Sequence, residues 1–412
     1  MMVTENTDLA LEPVLRFPEF EGEWEQKKLG EITQYVDYRG KTPQKSEQGV
    51  FLVTAKNIKQ GYIDYEVSRE FILLKDYENV MRRGKPLIGD VLITTEAPLG
   101  NVASIDIEGI ALAQRVIKLR GKENILQNGF LKFRLISPQF QKPLDDKSSG
   151  TTAKGIKGSE LHKMAISFPT LPEQKRIASF FTVLDQKLNQ LKQKKNLLAQ
   201  YKKGVRQQLF SQKLRFKDDE GNEFPDWEEK KLNQITEIFD GTHQTPTYLP
   251  IGIPFYSVEH VTANNFENTK FISIDVFEKE NKRVKLEKGD ILMTRIGDIG
   301  TARLIDWDVK ASFYVSLALI KQSSEFYSAY LNHYISTKDF QNELWQRTIH
   351  VAFPKKINLG EIGNCIVMLP VIAEQTKIAN FLSAIDEKIN QTQIQIKKTE
   401  QYKKGLMQKM FC

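Results

Sequence analysis

The chain of 412 residues has few cysteines and no long apolar run. Its two cysteines, Cys365 and Cys412, argue against a disulfide framework or a cysteine-rich metal site and fit a reducing compartment. The longest apolar run, residues 366–373, is interrupted by Pro370 and falls short of the roughly 18 residues that a membrane-spanning helix needs. Residues 1–15 carry acidic but no basic side chains, so the basic start of a secretory signal is missing. We therefore expect a cytoplasmic protein.

Several catalytic motifs are also missing. No two glycines are separated by one residue, which excludes a G-x-G-x-x-G dinucleotide fingerprint. Gly84–Gly89 and Gly150–Gly155 have the spacing of a phosphate-binding Walker A loop but lack the lysine that must follow it. The five histidines are scattered, without the spacing that zinc sites prefer. No Pro-Pro pair occurs, which removes the loop used by enzymes that methylate exocyclic amino groups. The sequence therefore predicts no catalytic residue and no metal site.

The length and charge of the chain suggest its organisation. At roughly 150 residues per domain, the chain forms two or three folding units. Lys and Arg exceed Asp and Glu by 59 to 52. Residues 173–213 hold ten basic and two acidic side chains, and residues 374–412 hold seven and four, so the remainder is net acidic. The net positive charge of the chain therefore lies in these two segments.

These two segments are copies of each other, and the similarity extends beyond them. The repeated motifs are EQKRIASFF from Glu173 and EQTKIANFL from Glu374, QYKKG from Gln200 and from Gln401, WEQKKLGEI from Trp24 and WEEKKLNQI from Trp227, and GDVLIT from Gly89 and GDILMT from Gly289. A period of about 200 residues is far longer than the roughly 20 to 50 residues of a solenoid repeat. The sequence thus indicates a tandem duplication of a whole domain with its helix.

Each basic segment shows the spacing of a long paired helix. Apolar residues alternate at steps of four and three over about five heptads, which favours a coiled coil. Thr170 and Glu173 form a capping-box pattern at the start of the first of these helices. Each helix would be about 50 Å long, and we expect the two to pair antiparallel about a pseudo-twofold axis. The basic residues form either a solvated face or a binding face. The predicted seam consists of Ile177, Phe181, Leu184, Leu188, Leu191, Leu198, Val205, Leu209, Ile378, Leu382, Ile385, Ile389, Ile396, Leu406 and Met410.

Outside the helices, short β-type runs alternate with loops rich in Gly, Thr, Pro and Asn. The runs are Val91–Thr95, Val116–Leu119, Ile291–Thr294 and Val315–Ile320. The pattern predicts an α+β fold with two globular mixed α/β domains joined by two long antiparallel coiled-coil helices. The predicted boundaries are residues 1–170 and 214–368 for the globular domains, and 171–213 and 369–412 for the helical spacers.

In their order and duplication, these motifs resemble the specificity subunits of type I restriction-modification systems. Loops typical of that family are RGKTP at 39–43, TEAPLGNVA at 95–103, ALAQR at 111–115, SGTTAKGI at 149–156, DGTHQTP at 240–246 and TRIGDIGTA at 294–302. The resemblance covers essentially the whole chain after about residue 16.

The resemblance implies a non-catalytic protein that reads a bipartite, gapped target in double-stranded DNA, with one target-recognition domain on each half. Two modification subunits, which are adenine methyltransferases, would bind the helices and carry S-adenosylmethionine. Restriction subunits, which are helicase-nucleases, would use ATP and Mg. The chain itself would need no cofactor.

Within such a protein, loop residues able to bind DNA are the natural candidates. Arg and Lys read guanine, Asn and Gln read adenine, and further basic side chains hold phosphates. Each candidate could instead be solvated or structural, and Arg115 and Arg295 could pair with a buried carboxylate. A competing hypothesis is a coiled-coil adaptor or scaffold protein with two protein- or peptide-binding domains, which composition alone leaves open. The candidates are Arg39, Lys41, Arg115, Lys154, Lys157, His243, Gln244, Arg295, Arg303, Arg347, His350, Lys355 and Lys356.

Overall fold

The computed structural model describes residues 11–38, 43–150 and 154–412. The chain forms two compact units, which we call the first unit (Met1–Lys192 with Ile394–Cys412) and the second unit (Gln193–Gln393). Both boundaries fall inside a long helix, so each unit contains part of each long helix. The predicted mixture of helices and sheets is confirmed.

The first unit begins with short strands and short helices. The strands are β1 (Glu25–Lys28), β2 (Thr33–Asp37), β3 (Val50–Val53), β4 (Phe71–Ile72), β5 (Val91–Thr95), β6 (Leu99–Ser104), β7 (Ala111–Leu112), β8 (Val116–Gly121) and β9 (Ala165–Phe168). The helices are α1 (Leu29–Ile32), α2 (Tyr77–Val80), α3 (Asn128–Ile136), α4 (Pro138–Asp146), α5 (Gly158–Lys163) and the long α6 (Leu171–Phe210), and a 3-10 turn covers Leu74–Asp76.

The second unit repeats this order. Its strands are β10 (Glu228–Lys231), β11 (Ile238–Asp240), β12 (Ile253–Tyr256), β13 (Lys270–Ile272), β14 (Ile291–Thr294), β15 (Ala302–Leu304), β16 (Ser312–Phe313), β17 (Leu317–Ile320) and β18 (Ile366–Leu369). Its helices are α7 (Leu232–Ile235), α8 (Val258–Ala263), α9 (Ile274–Asn281), α10 (Ser328–Ile335), α11 (Lys338–Arg347), α12 (Leu359–Gly363) and the long α13 (Ile372–Lys409).

The sheets of the two units have the same topology. The first unit has an antiparallel sheet in the order β2-β8-β5-β6, a three-stranded sheet β4-β3-β7 and a ladder β1-β9. The second unit has β11-β17-β14-β15, β13-β12-β16 and β10-β18. The central strands β5 and β14 are buried along their whole length, as their apolar and β-branched sequences require.

The repeated Gly-Asp motif starts each of these central strands. Gly89 and Gly289 have φ angles of +86° and +97°, a conformation that favours glycine. The buried Asp90 that follows accepts hydrogen bonds from Arg120 Nε at 2.6 Å and Nη2 at 2.8 Å. Asp290 binds Lys321 Nζ at 2.7 Å. A buried carboxylate with a basic partner therefore fixes the same corner in both units.

The main core of the first unit includes the last residues of the chain. Phe411 lies between the rings of Trp24, at a centroid distance of 6.3 Å, and Phe130, at 5.8 Å. Met407 and Met410 belong to the same buried cluster. Arg134 Nη2 donates to the carbonyl oxygen of Cys412 at 2.9 Å. The end of α13 thus completes a core that is otherwise built from the first 181 residues.

Within each unit the two long helices pack against each other. In the first unit, Leu188 and Leu191 of α6 form an apolar cluster with Ile396 of α13, and Lys403 pairs with Asp185. In the second unit, Lys202 pairs with Asp386 through both carboxylate oxygens. Lys202 and Lys403 are the same lysine of the two QYKKG motifs, so this motif supplies one interhelical ion pair in each unit.

The other predicted seam residues lie in varied surroundings. All of them are buried or half-buried. Ile177 and Phe181 pack into the main core of the first unit, and Ile378 and Leu382 into that of the second. The seam pattern therefore combines helix–helix contacts with anchoring of each helix on a globular core. Among the described residues, no helix is long and apolar enough to cross a membrane.

Candidate nucleic-acid interface

Two loops meet beside the end of the central strand in each unit, and we call them the paired loops. In the first unit, Glu96 in the turn between β5 and β6 is bridged to Gly155, and Gly155 is bridged in turn to Ser149 of its own segment, of which residues 148–150 and 154–156 are described. In the second unit, Ile296 of loop 295–301 is bridged to Lys356 of loop 348–357, and Lys356 is bridged in turn to Ile349 of its own loop. These segments contain several of the predicted DNA-binding residues, and the duplication gives each unit one such pair.

A repeated glutamine fixes the paired loops to the adjacent helices. Gln141 Nε2 donates to Gly100 O at 2.9 Å and Leu135 O at 2.6 Å. Gln341 Nε2 donates to Gly300 O at 2.9 Å and to the equivalent backbone oxygen of α10 at 2.8 Å. These two glutamines were not among the residues predicted from the sequence. Their identical position in the two copies is the signal that could have found them.

Arg295 is buried beneath the paired loops of the second unit. Its Nη1 donates to Val315 O at 2.7 Å and its Nε to Ile357 O at 3.3 Å. The guanidinium lies 3.8 Å from a carboxylate oxygen of Asp240, and burial lowers the pKa of Arg295. Of the two predicted roles for this residue, the contacts favour a structural one, because they hold the base of the loops together.

Asp240 brings a second candidate to the same place. His243 Nε2 lies 3.0 Å from Asp240 Oδ2, and Arg283 Nη1 donates to Asp240 Oδ1 at 3.0 Å. The His243 side chain and the neighbouring Gln244 are exposed. Three basic groups therefore converge on one carboxylate, and His243 is the one that reaches solvent most fully.

His350, Lys355 and Lys356 lie together on the paired loops of the second unit. His350 Nε2 contacts Trp345 O at 2.9 Å, and Lys355 Nζ lies 5.0 Å from the centre of the Trp345 ring. Lys355 O accepts from Gly297 N at 2.8 Å, which ties the two loops together. All three basic side chains are exposed and can meet phosphate groups.

Two further candidates of the second unit lie elsewhere. Arg347 is held by Glu343 at 2.9 Å and by Glu361 at 3.6 Å. Arg303 lines a separate polar cleft of about 960 Å³ together with Arg206 and Asp386. Its Nη1 donates to Ala302 O at 2.9 Å, and burial lowers its pKa. The structure therefore does not place these two arginines with the loop cations.

The candidates of the first unit have their own contacts. Arg115 adopts a φ of +71° and pairs with Glu96 at 2.6 Å, both side chains being about half exposed. Lys154 pairs with Asp145 at 2.7 Å, and Lys157 is exposed just before α5. Arg115 and Lys154 thus lie on or beside the first paired loops. Arg39 and Lys41 lie outside the described residues.

Large apolar side chains that were not predicted from the sequence are exposed on and beside the second paired loops. Trp345 is 60% exposed, Val351 96% and Phe353 fully exposed. The run HVAFPKK places an aromatic residue among basic ones, a pattern that could have indicated this exposed surface. Among the described residues, no group of three or more His, Cys, Asp or Glu side chains is arranged to hold a metal ion.

The two units thus carry equivalent loops on equivalent mixed α/β folds. The family model described as "Type I restriction modification DNA specificity domain" matches residues 21–200 and 225–399. The chain therefore belongs to the type I restriction-modification specificity subunit family.

Known relatives agree with this assignment along most of the chain. The type I restriction enzyme MjaVIII specificity subunit of Methanocaldococcus jannaschii is 24% identical over 95% of this chain and 92% of its own. The EcoBI specificity subunit of Escherichia coli is 24% identical over 69% of this chain and 65% of its own. A solved S subunit from M. genitalium superposes with a TM-score of 0.64 at 17% identity, covering 97% of this chain and 99% of that one. The last comparison concerns the fold alone.

Proposed function

We propose that this chain reads a bipartite, gapped sequence in duplex DNA and has no catalytic activity of its own. The observation that carries the proposal is the duplication of the paired loops, each with exposed basic side chains. Duplex DNA presents equivalent groove edges on its two strands, so a protein with two similar reading units suits a target with two halves. In this proposal, residues 1–170 and 214–368 are the target-recognition domains.

The long helices supply the spacing between the two half-sites in this proposal. Helix α6 contains 40 residues and α13 contains 38, so each is close to 60 Å long. Half-sites one DNA turn apart lie about 34 to 36 Å from each other. Helices of this length are sufficient for an unread gap of that order, and residues 171–213 and 369–412 are the proposed spacers.

The same helices are the proposed docking site for the partner subunits. Some of their basic residues are used between the helices, since Lys192 pairs with Glu400 at 2.9 Å and Lys195 Nζ donates to Gln393 Oε1 at 2.7 Å. Lys194 and Lys203 are exposed. We assign the exposed face to two modification subunits, which carry S-adenosylmethionine, with restriction subunits that use ATP and Mg joining them.

Methylome sequencing tests the proposal. Cells that express this chain with its modification subunit should methylate adenine in one gapped motif, and cells with the gene deleted should lose that motif alone. The purified chain should show neither methyltransferase nor nuclease activity. An unchanged methylome despite expression of both proteins would contradict the proposal.

A further inference from the structure

The turn formed by residues 350–355, which we call the apolar tip, projects from the paired loops of the second unit. Val351 and Phe353 are almost completely exposed. Large apolar side chains gain nothing from water, so two of them at the end of one turn indicate a surface that becomes covered by a ligand. The duplicated half offers a comparison: the corresponding SSGTTAK at 148–154 contains no large apolar residue.

The base of the tip is well fixed. Ile349 N donates to Lys356 O at 2.8 Å, and Ile357 N donates to Arg295 O at 3.0 Å. Below it, Thr348 Oγ1 donates to Leu344 O at 2.7 Å. Because these bonds tie the turn to both the other loop and α11, the tip can be presented to a ligand without folding first.

The charges around the tip favour nucleic acid as that ligand. Residues 348–357 contain His350, Lys355 and Lys356 and no acidic residue. Lys355 is held against the exposed face of Trp345, so its ammonium stays beside the tip. Cations beside an apolar projection match the DNA surface, where phosphates flank the grooves and the base edges lie between them. An apolar docking site for protein would not need this concentration of positive charge.

We propose that Val351 and Phe353 enter the major groove of the second half-site and make apolar contact with the C5-methyl group of a thymine. This inference rests on the proposed function. The thymine methyl is the apolar group that base pairs display in the major groove, and aromatic side chains contact it. His350, Lys355 and Lys356 hold the phosphates on either side. The tip thereby adds base selectivity to the second half-site.

The test uses the chain together with its modification subunit. Phe353→Ser should relax the methylated motif at one position of the second half-site and leave the first half-site unchanged, while Phe353→Leu should retain the motif. Ile251→Ser is the matched control, because Ile251 is 86% exposed in the same unit but is flanked by Pro250 and Gly252 rather than by cations. In vitro, replacing the thymine at the relaxed position by uracil should slow methylation about four-fold for the wild type, the effect of losing one buried methyl group, and should have no effect on Phe353→Ser.

Three outcomes would overturn the inference. One is an unchanged motif and rate in Phe353→Ser. Another is equal loss at both half-sites together with failure to bind the modification subunit, which would make the tip a protein-docking surface. The last is relaxation of the motif without any effect of uracil. Failure of the proposed function would look different, since the wild-type complex would then yield no gapped motif.

Discussion

Arg16 binds the buried carboxylate of Glu173 through two side-chain hydrogen bonds, 2.9 Å from Nε and 2.7 Å from Nη2. Arg215 and Glu374 repeat the pair at 3.1 and 2.7 Å. Both glutamates are the first residue of the repeated EQ motifs, and each is within 1% of complete burial. The hydrogen bond to Glu173 also raises the pKa of Arg16. The pair locks the start of a long helix to the segment that enters the same unit.

Arg16→Ala should therefore destabilise the first unit by about 3 kcal/mol, because it leaves a buried carboxylate without its partner. Urea denaturation of the wild type and the variant measures the change. Lys163→Ala is the control, since it removes an exposed pair with Glu160 and should change the stability little. Equal effects of the two substitutions would show that the Arg16 pair has no special role.

Arg295 and Lys355 should respond differently to substitution by alanine. Arg295→Ala removes buried hydrogen bonds to two loop carbonyls and should lower the stability of the second unit by about 2 kcal/mol. Lys355→Ala should leave the melting temperature unchanged and reduce the slope of log K against log salt for duplex binding by about 0.9, the value for one phosphate contact. Thermal melts and binding titrations at several salt concentrations distinguish the two roles. A stable Arg295→Ala protein would argue that this residue serves DNA binding.

The ion pair between Lys202 and Asp386 can be measured with a double-mutant cycle. The lysine side chain is 19% exposed and the aspartate 45%, so we expect a coupling free energy of about 0.5 to 1 kcal/mol. Lys192 and Glu400 are each about half exposed and should couple more weakly. The opposite order would mean that burial does not set the strength of these interhelical pairs.

His333 predicts a pH dependence of stability. Burial, followed by the charge of Lys202, lowers its pKa from 6.5 to about 4, against an opposing effect of Asp386. The unfolded chain binds a proton below about pH 6.5, while the folded chain does so only near pH 4, so stability falls as the pH falls through this range. The loss amounts to about 3 kcal/mol. His333→Phe, which copies Phe133 of the first unit, should remove this part of the pH dependence in denaturation curves between pH 4.5 and 7.5.

The proposed spacer can be lengthened without changing its seam. Seven residues inserted after Gln193 and seven after Ile394 preserve the heptad phase and add about 10 Å to each helix. The methylated motif should then gain a gap longer by about three base pairs, with both half-sites intact. Methylome sequencing measures the gap length and the two half-site sequences in one experiment. Altered half-sites with an unchanged gap would reject the spacer role.

Much of the fold could be predicted because the chain contains its own comparison. The repeated motifs identified the duplication, and the apolar runs at Val91–Thr95 and Ile291–Thr294 are the central strands. The heptad spacing of apolar residues predicted the two long helices. These patterns arise from residues that are close together in the sequence, so they can be recognised without knowledge of the tertiary structure.

The interface was harder to predict, because it depends on contacts between distant segments. Glu173, assigned to a capping box, instead binds Arg16 across 157 positions of the chain. Arg295 looks like any loop arginine until Asp240 and Val315 are placed beside it. Residue type alone therefore gave candidates but could not separate the buried arginine from the exposed Lys355.

The position of Phe411 in the core of the first unit has a consequence for biosynthesis. The ribosome makes residues 11–192 before the second unit, yet the aromatic cluster around Trp24 and Phe130 is completed by residues 407–412, which follow the second unit in the chain. The second unit, Gln193–Gln393, is continuous in sequence. Nascent domains usually mature in order from the N-terminus. Here the first unit can complete its core only after the second unit has been made, and a chain stalled after residue 393 would carry one complete unit and one incomplete unit.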